Sequence, residues 1–431
     1  MVPYYYIRTQ QNTTKVNVNF SQPLPLYPTL NEIQEMSLDQ YPDLNEFLNA
    51  EDAQPWRLQH WQWGLEYLRY IARNKSEHTY GRFRNETERF LLWVFMTQEK
   101  PIDTYRKVQI LAYADFCWKP PVKWISLTAA DRFVYNDGYF KTNSAWLPYR
   151  LKVAKNQQLT NPDKKKYKPS QQTLTAMFTG VAGFYTYLVG EEYCYGNPAL
   201  LAKKDCRYFI ADVQVKEVHR LTEEQWQYLV DTARTLATKS AVYERSLFVV
   251  ATLKTLFLRI SELSERKDWS PEMRHFWQDE HQHWWLKVFG KGRKLRDVSV
   301  PVEYLAYLKR YRAERALPPL PSSSDRAPIV EKIRGQGGMT ARHLTRIVQE
   351  VFDVAYTTMK ADLGEDAAWK LKEASTHWLR HTGASMEIER GRALKDLSED
   401  LGHASMATTD TIYVQSEHRK RAESGKGRKV D

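Results

Sequence analysis

Apolar residues recur at helical spacing over most of this chain, and only one stretch follows the pattern of strands. Leu65, Leu68 and Ile71 share one helical face, and Phe90, Leu91, Val94 and Phe95 continue on a second helix. After Ser170, a third helix carries Leu174, Phe178, Val181, Phe184, Tyr185 and Leu188, and residues 247–258 form an apolar helix running into Arg259. Residues 284–288 and 297–300, by contrast, read as two strands joined by the turn Gly290-Lys291-Gly292-Arg293-Lys294. The pattern predicts a mainly α fold with a small antiparallel β-sheet.

At 431 residues the chain exceeds one ordinary core, so two domains with extensions are expected. Residues 1–54 are polar, Pro-containing and weakly periodic, and read as an N-terminal extension with one short helix near 30–36. Residues 55–198 form a helical domain, interrupted at 119–169 by five prolines and the run Lys164-Lys165-Lys166-Tyr167-Lys168. Lys164, Lys165, Lys166 and Lys168, with Arg293 and Lys294 in the later turn, are candidates for DNA contact. A solvated basic loop explains the lysine run equally well. Residues 199–217 look like a linker. A second domain, 218–416, opens at Leu221-Thr222-Glu223-Glu224, where Thr222 can cap a helix with acids in its first turn. Thr340 caps a helix through Phe352, and Ser375 or Thr376 caps the helix bearing His377 and Arg380. Residues 417–431 form a basic tail.

Lys+Arg 63 against Asp+Glu 52 gives a net charge of +11, which suits a polyanionic partner without separating nucleic acid from an acidic membrane surface. The aromatic share of 13% fits a well-packed interior. Three cysteines (Cys117, Cys194, Cys206) are too few and too irregular for a disulfide framework or a metal site, and point to a reducing compartment. Cys206 reads as a small core residue. The N-terminus lacks a signal-peptide pattern, and no apolar run reaches the ~18–20 residues that cross a bilayer. A soluble protein acting in the cytoplasm, associated with the nucleoid and not with a membrane, is the expectation.

The last sixty residues hold His377-Trp378-Leu379-Arg380-His381, then Leu401-Gly402-His403, then Tyr413. Cations, proton carriers and a phenol in that order suit attack on a phosphodiester, whose non-bridging charge must be balanced. His377 and Arg380, three apart, share a helix face. Arg259 follows Leu256-Phe257-Leu258, so its guanidinium stands at a core edge, where burial without an anion is costly. Glu262 can orient it; the alternative is a merely structural Arg259–Glu262 pair on the helix surface. Lys291, at a hairpin tip between glycines, could protonate a leaving oxygen, although basic turns are common. Gly335-Gln336-Gly337-Gly338 lacks the flanks of a phosphate loop and reads as a flexible turn. His275, His281 and His283 read as polar hairpin residues, since no fourth ligand completes a metal set.

The set Leu258-Arg259-Ile260-Ser261-Glu262-Leu263, Gly290-Lys291-Gly292, His377-x-x-Arg380-His381-Thr382, Leu401-Gly402-His403 and Tyr413 resembles the tyrosine recombinases, or phage integrases. The likeness covers about 221–413, and more weakly 79–93 and 170–198, which look like halves of the family's SAM-like core-binding domain. The resemblance implies two domains closing on DNA as a C-shaped clamp. It implies that Arg259 and Arg380 hold the scissile phosphate, Tyr413 attacks it to leave a 3′-phosphotyrosyl link, and Lys291 protonates the 5′-oxygen. His377 would assist proton transfer and His403 would bond a non-bridging oxygen. Strand exchange would need no metal, ATP or other cofactor. The implied partners are double-stranded recombination sites, three further copies in a tetramer on DNA, and accessory DNA-bending proteins.

The chain departs from the family pattern in the 119–169 insertion, in a His403–Tyr413 gap one residue longer than usual, and in the charged stretch 360–372. Two other readings remain: a sequence-specific DNA-binding protein of the same fold that does not cut, and a type IB topoisomerase.

Overall fold

In the computed structural model, Ser76, Ser170 and Asn197 each start a helix by accepting bonds from first-turn N–H groups. The donors are Thr79 at 3.4 Å, Thr173 at 3.1 Å, and Ala199 and Leu200 at 3.1 and 3.2 Å. The chain divides into two units, Met1–Gln214 and Val215–Asp431. Residues 22–151, 162–209, 219–290 and 294–403 are described, with Met406, Gly425 and Lys426 beyond them.

The first unit holds α1 (Pro42–Leu48), α2 (Arg57–Asn74), α3 (Glu77–Thr97), α4 (Lys107–Trp118), α5 (Gln171–Gly190) and α6 (Pro198–Asp205). Aromatic rings fill its centre: Phe90 and Trp93 of α3 each lie 5.1 Å from Tyr113 of α4, and Phe90 lies 5.9 Å from Tyr185 of α5.

Three expectations change here. The stretch expected to be an extension packs into the core from residue 22 onward, burying Leu24, Leu26, Tyr27, Ile33, Met36, Tyr41, Leu44, Phe47 and Leu48. Glu88 of α3, only 1% exposed, holds this strap by accepting from the N–H groups of Leu26 at 2.7 Å and Tyr27 at 3.2 Å. Its charge is balanced by Arg132 at 2.8 Å. The basic insertion is also packed. β1 (Ile125–Ser126) pairs in parallel with β4 (Tyr149–Arg150), and β2 (Phe133–Asn136) pairs antiparallel with β3 (Tyr139–Thr142). Trp124, Ile125, Trp146 and Tyr149 are buried. Lys164–Lys166 form one 3-10 turn, and the Lys168 ammonium sits 5.0 Å over the Trp118 ring. The linker expected at 199–217 begins as α6, with Ala199, Ala202 and Cys206 in the core, while 210–218 lie outside the described residues. All three cysteines are buried, which pushes the Cys117 thiol up to about 11 and Cys194 to about 12.

The second unit begins with α7 (Glu223–Lys239), where Thr222 and Gln225 cap each other reciprocally at 3.1 and 3.0 Å. α8 (Val242–Thr255) is buried continuously from Ser246 to Leu253, so other elements surround it. There follow α9 (Ile260–Leu263), β5 (Phe276–Gln278), β6 (Trp284–Phe289), β7 (Leu295–Val300), α10 (Tyr304–Glu314), α11 (Ala341–Leu363), α12 (Glu365–Glu373), α13 (Thr376–Glu389) and α14 (Leu394–Leu401). The sheet order is β5-β6-β7, antiparallel throughout, with β6 and β7 in register from Trp284↔Val300 to Phe289↔Leu295. The fold is thus mainly α with small sheets, and β5 is a strand not foreseen from sequence. α13 crosses α8 at Gly383, where a Cβ would stand 1.9 Å from the Lys254 carbonyl oxygen. Only glycine allows that approach. Among the described residues no helix is long and apolar enough to cross a membrane.

Candidate active site

α8 is followed by Leu256, Phe257 and Leu258, all buried, and the backbone turns left-handed at Phe257 (φ 51). This turn sets Arg259 as the N-cap of α9. Its N–H donates to Glu262 Oε2 at 2.8 Å and its Nη1 to Oε1 at 2.9 Å. The expected Arg259–Glu262 pair therefore exists, but it is no surface decoration. Glu262 is 3% exposed and takes a second cation, Arg296 of β7, in a two-pronged grip at 2.8 and 3.0 Å. Burial alone would raise the Glu262 carboxyl, yet the bonds and charges of Arg296 and Arg259 outweigh it and hold it below its ordinary value.

α13 brings Arg380 to the same place from the other end of the unit. Arg380 is 1% exposed, donating from Nη1 to the Phe257 carbonyl and from Nη2 to the Leu401 carbonyl, both at 2.6 Å. Nη1 lies 3.9 Å from Glu262 Oε2, and Nη2 lies 3.3 Å from His403 Nε2. α14 terminates at Gly402 in the left-handed conformation (φ 62), and the N–H of His403 reaches back to the Ser398 carbonyl at 3.2 Å. A Cβ on residue 402 would meet Arg296 Cδ at 2.9 Å, so glycine is required on both counts.

The histidines are held neutral. Burial, then Arg380 and Arg259, lower His377. Burial, then Arg380, Arg259 and Arg296, lower His403 to about 4. His381, its ring 4.4 Å from that of His377, is lowered to about 3 by burial and the neighbouring His377 and Arg380. An unfolded imidazole protonates near 6.5, whereas His403 and His381 resist down to about 4 and 3. The unfolded chain thus binds more protons across that interval, and stability is lost as pH falls from 6.5. The melting temperature is expected to drop by about 5 °C between pH 7 and pH 5. A calorimetric scan series showing no change over that range would rule out neutral, enclosed histidines.

Arg259, Glu262, His377, Arg380 and His403 are therefore brought together. Lys291, Arg293 and Tyr413 lie outside the described residues. Gly290, just before Lys291, bonds the Lys294 carbonyl at 2.8 Å, and a Cβ there would stand 3.4 Å from Glu262 Oε1, so the hairpin loop springs from beside the buried carboxylate. Lys294 is exposed; Lys164, Lys165, Lys166 and Lys168 belong to the first unit. The glycine turn is closed by the Lys332 N–H on the Gly337 carbonyl at 3.0 Å, and the Gly338 N–H binds the Glu265 carboxylate, an acid where a phosphate loop needs an open N–H. His275 stacks on Trp269 at 4.6 Å, and the N–H groups of His281 and His283 bind Asp279 at 3.0 and 2.8 Å. Among the described residues no group of His, Cys, Asp or Glu is placed to hold a metal.

Sequence reasoning missed Arg296 and Asp400. Arg296 fell between the turn and the strand as first drawn, and its Nε donates to the Asp400 carbonyl at 2.9 Å. An arginine two residues past the end of a basic hairpin turn was the available signal.

Residues 219–420 match the model of the phage integrase family. The tyrosine recombinase XerC of Neisseria gonorrhoeae is 30% identical over 131 residues, 30% of this chain and 36% of the relative. XerC of Thermodesulfovibrio yellowstonii is 34% identical over 131 residues, 30% of this chain and 38% of the relative. The match thus spans little more than a third of these relatives. In fold the chain is similar to the XerH site-specific recombinase bound to palindromic difH substrate (TM-score 0.55, 16% identity, 92% of each chain). It is also similar to the Tn1549 transposon integrase in complex with circular intermediate DNA (TM-score 0.50, 17% identity, 84% of this chain and 98% of that one).

Proposed function

We propose that this chain is a site-specific DNA recombinase, cleaving and rejoining strands through a 3′-phosphotyrosyl intermediate on Tyr413. The observation that carries the reading is the convergence of Arg259 and Arg380 on one buried carboxylate, Glu262, with His403 beside them. Two permanent cations fixed before substrate arrives are what a metal-free phosphoryl transfer requires, because no reorganisation is needed as charge develops. Arg259 keeps 28% of its side chain exposed, so part of its fork faces solvent. His377 and His403, neutral at pH 7, can move or share a proton rather than add fixed charge. Lys291, on the hairpin rooted at Gly290, is assigned the leaving-group proton.

The partners in this reading are duplex recombination sites, and a tetramer assembled on two of them, aided by accessory DNA-bending proteins. The surroundings are the cytoplasmic nucleoid and the biology that of a mobile element. Support comes from the DNA-bound XerH and Tn1549 integrase complexes and from the +11 charge, which also makes binding steeply salt-dependent.

The test is a nicked duplex carrying a site selected from a random library. The expected product is a denaturant-resistant adduct whose DNA is linked to the peptide containing Tyr413. Tight binding with no adduct would instead make this a silent DNA-binding protein. Relaxation of a supercoiled plasmid lacking the site would make it a topoisomerase.

A further inference from the structure

Asp400 has no part in the chemistry described so far, yet it is among the most tightly held acids of the second unit. It is 4% exposed and sits at the end of α14, three residues before His403. Its carboxylate accepts from the Ser299 N–H at 3.0 Å and the Ser299 hydroxyl at 2.6 Å, both on β7, and from Arg392 Nη2. Arg392 also donates to the Ser299 hydroxyl at 3.1 Å and lies 5.8 Å over the Phe257 ring. The Asp400 carbonyl takes Arg296 Nε at 2.9 Å, and the next carbonyl, of Leu401, takes Arg380.

The geometry points to Asp400, clasped by Ser299 and Arg392, as a positioning residue that fixes the Leu401-Gly402-His403 turn against Arg380. The physical reason is one of leverage. Arg296 holds that turn through the Asp400 carbonyl, and Arg380 through the Leu401 carbonyl and the His403 ring, contacts at the turn itself that set distance but leave the axis of α14 less constrained. The Asp400 side chain adds a third attachment, off the helix axis, to the strand that also carries Arg296. With three attachments the turn has one orientation, and His403 faces Arg380 from α13, Arg259 before α9 and Arg296 of β7. Misplacement of a group by about 1 Å costs up to about a hundred-fold in rate.

The rate arm of the test rests on the recombinase reading; the titration arm needs no DNA. With labelled histidine, the His403 signal is identified by its loss in His403→Gln. In the native protein it stays neutral to below pH 5. In Asp400→Asn, whose amide sets a donor against the Arg392 donor, the turn loosens, and His403 is expected to titrate closer to 6.5. Cleavage of the nicked site falls roughly ten- to a hundred-fold, while DNA binding changes less than about three-fold because the phosphate contacts remain. Arg392→Gln and Ser299→Ala, which leave α14 untouched, move both readouts the same way and decide the matter if Asp400→Asn does not fold. The proposal is overturned if Asp400→Asn unfolds with native cooperativity and leaves both the His403 titration and the cleavage rate unaltered. Absence of cleavage in the native protein would sink the recombinase reading alone, with the titration still deciding the role of Asp400.

Discussion

Replacing Arg380 with alanine is expected to abolish strand cleavage and to destabilise the second unit by about 3–5 kcal/mol. Two buried carbonyls, those of Phe257 and Leu401, would each lose a 2.6 Å donor, and nothing else in the substitution can satisfy them. They belong to opposite ends of the unit, so the joint between the α8–α9 turn and the end of α14 would go with them. Arg380→Lys separates stability from chemistry. One ammonium keeps the charge but cannot span both carbonyls and face a phosphate. That variant should keep most of the denaturation midpoint in urea while adduct formation still falls by roughly a hundred-fold or more. Native urea stability in Arg380→Ala, or native cleavage in Arg380→Lys, would contradict the assignment.

The second large effect is expected at Glu262. Glu262→Gln preserves shape but leaves Arg259 and Arg296 without their shared anion inside the unit, at a cost of about 3 kcal/mol. Arg259, part of whose side chain already faces solvent, would lose its fixed rotamer, and cleavage should drop by about a hundred-fold. The acid profile supplies an independent check. Because the folded carboxyl is held below 4.5, Glu262 contributes stability that is present above 4.5 and lost as pH falls through the lower folded value. In Glu262→Gln that acid-sensitive part should vanish, so the gap between native and variant melting temperatures narrows below pH 4.5. A gap that widens there would mean that the carboxyl is not held ionised by its two arginines.

Much of this site could be read before the fold was known, for a physical reason. Arg259 and Glu262 are three apart, as are His377 and Arg380, and short spacings survive translation into a helix or a cap. What could not be read depends on groups distant in the chain. Glu88 looks like any helix-surface acid until the strap at Leu26 and Tyr27 is laid across it. The same tertiary contact turned the supposed 1–54 extension into core from residue 22, since its prolines erase the helical period while its apolar anchors remain. Arg296 and Asp400, 104 residues apart, carry no local pattern at all. The left-handed backbone at Phe257 was hidden as well, because phenylalanine gives no hint of it.

β7 is the outer strand of its sheet, and such a strand normally offers unpaired N–H groups to any extended chain nearby. At Ser299 that offer is closed by the Asp400 carboxylate, with α14 lying along the edge. The opposite rim is only the three residues of β5. The chain thus seals its own longer edge with its own helix, and at Ser299 no free N–H is left for an outside strand to take.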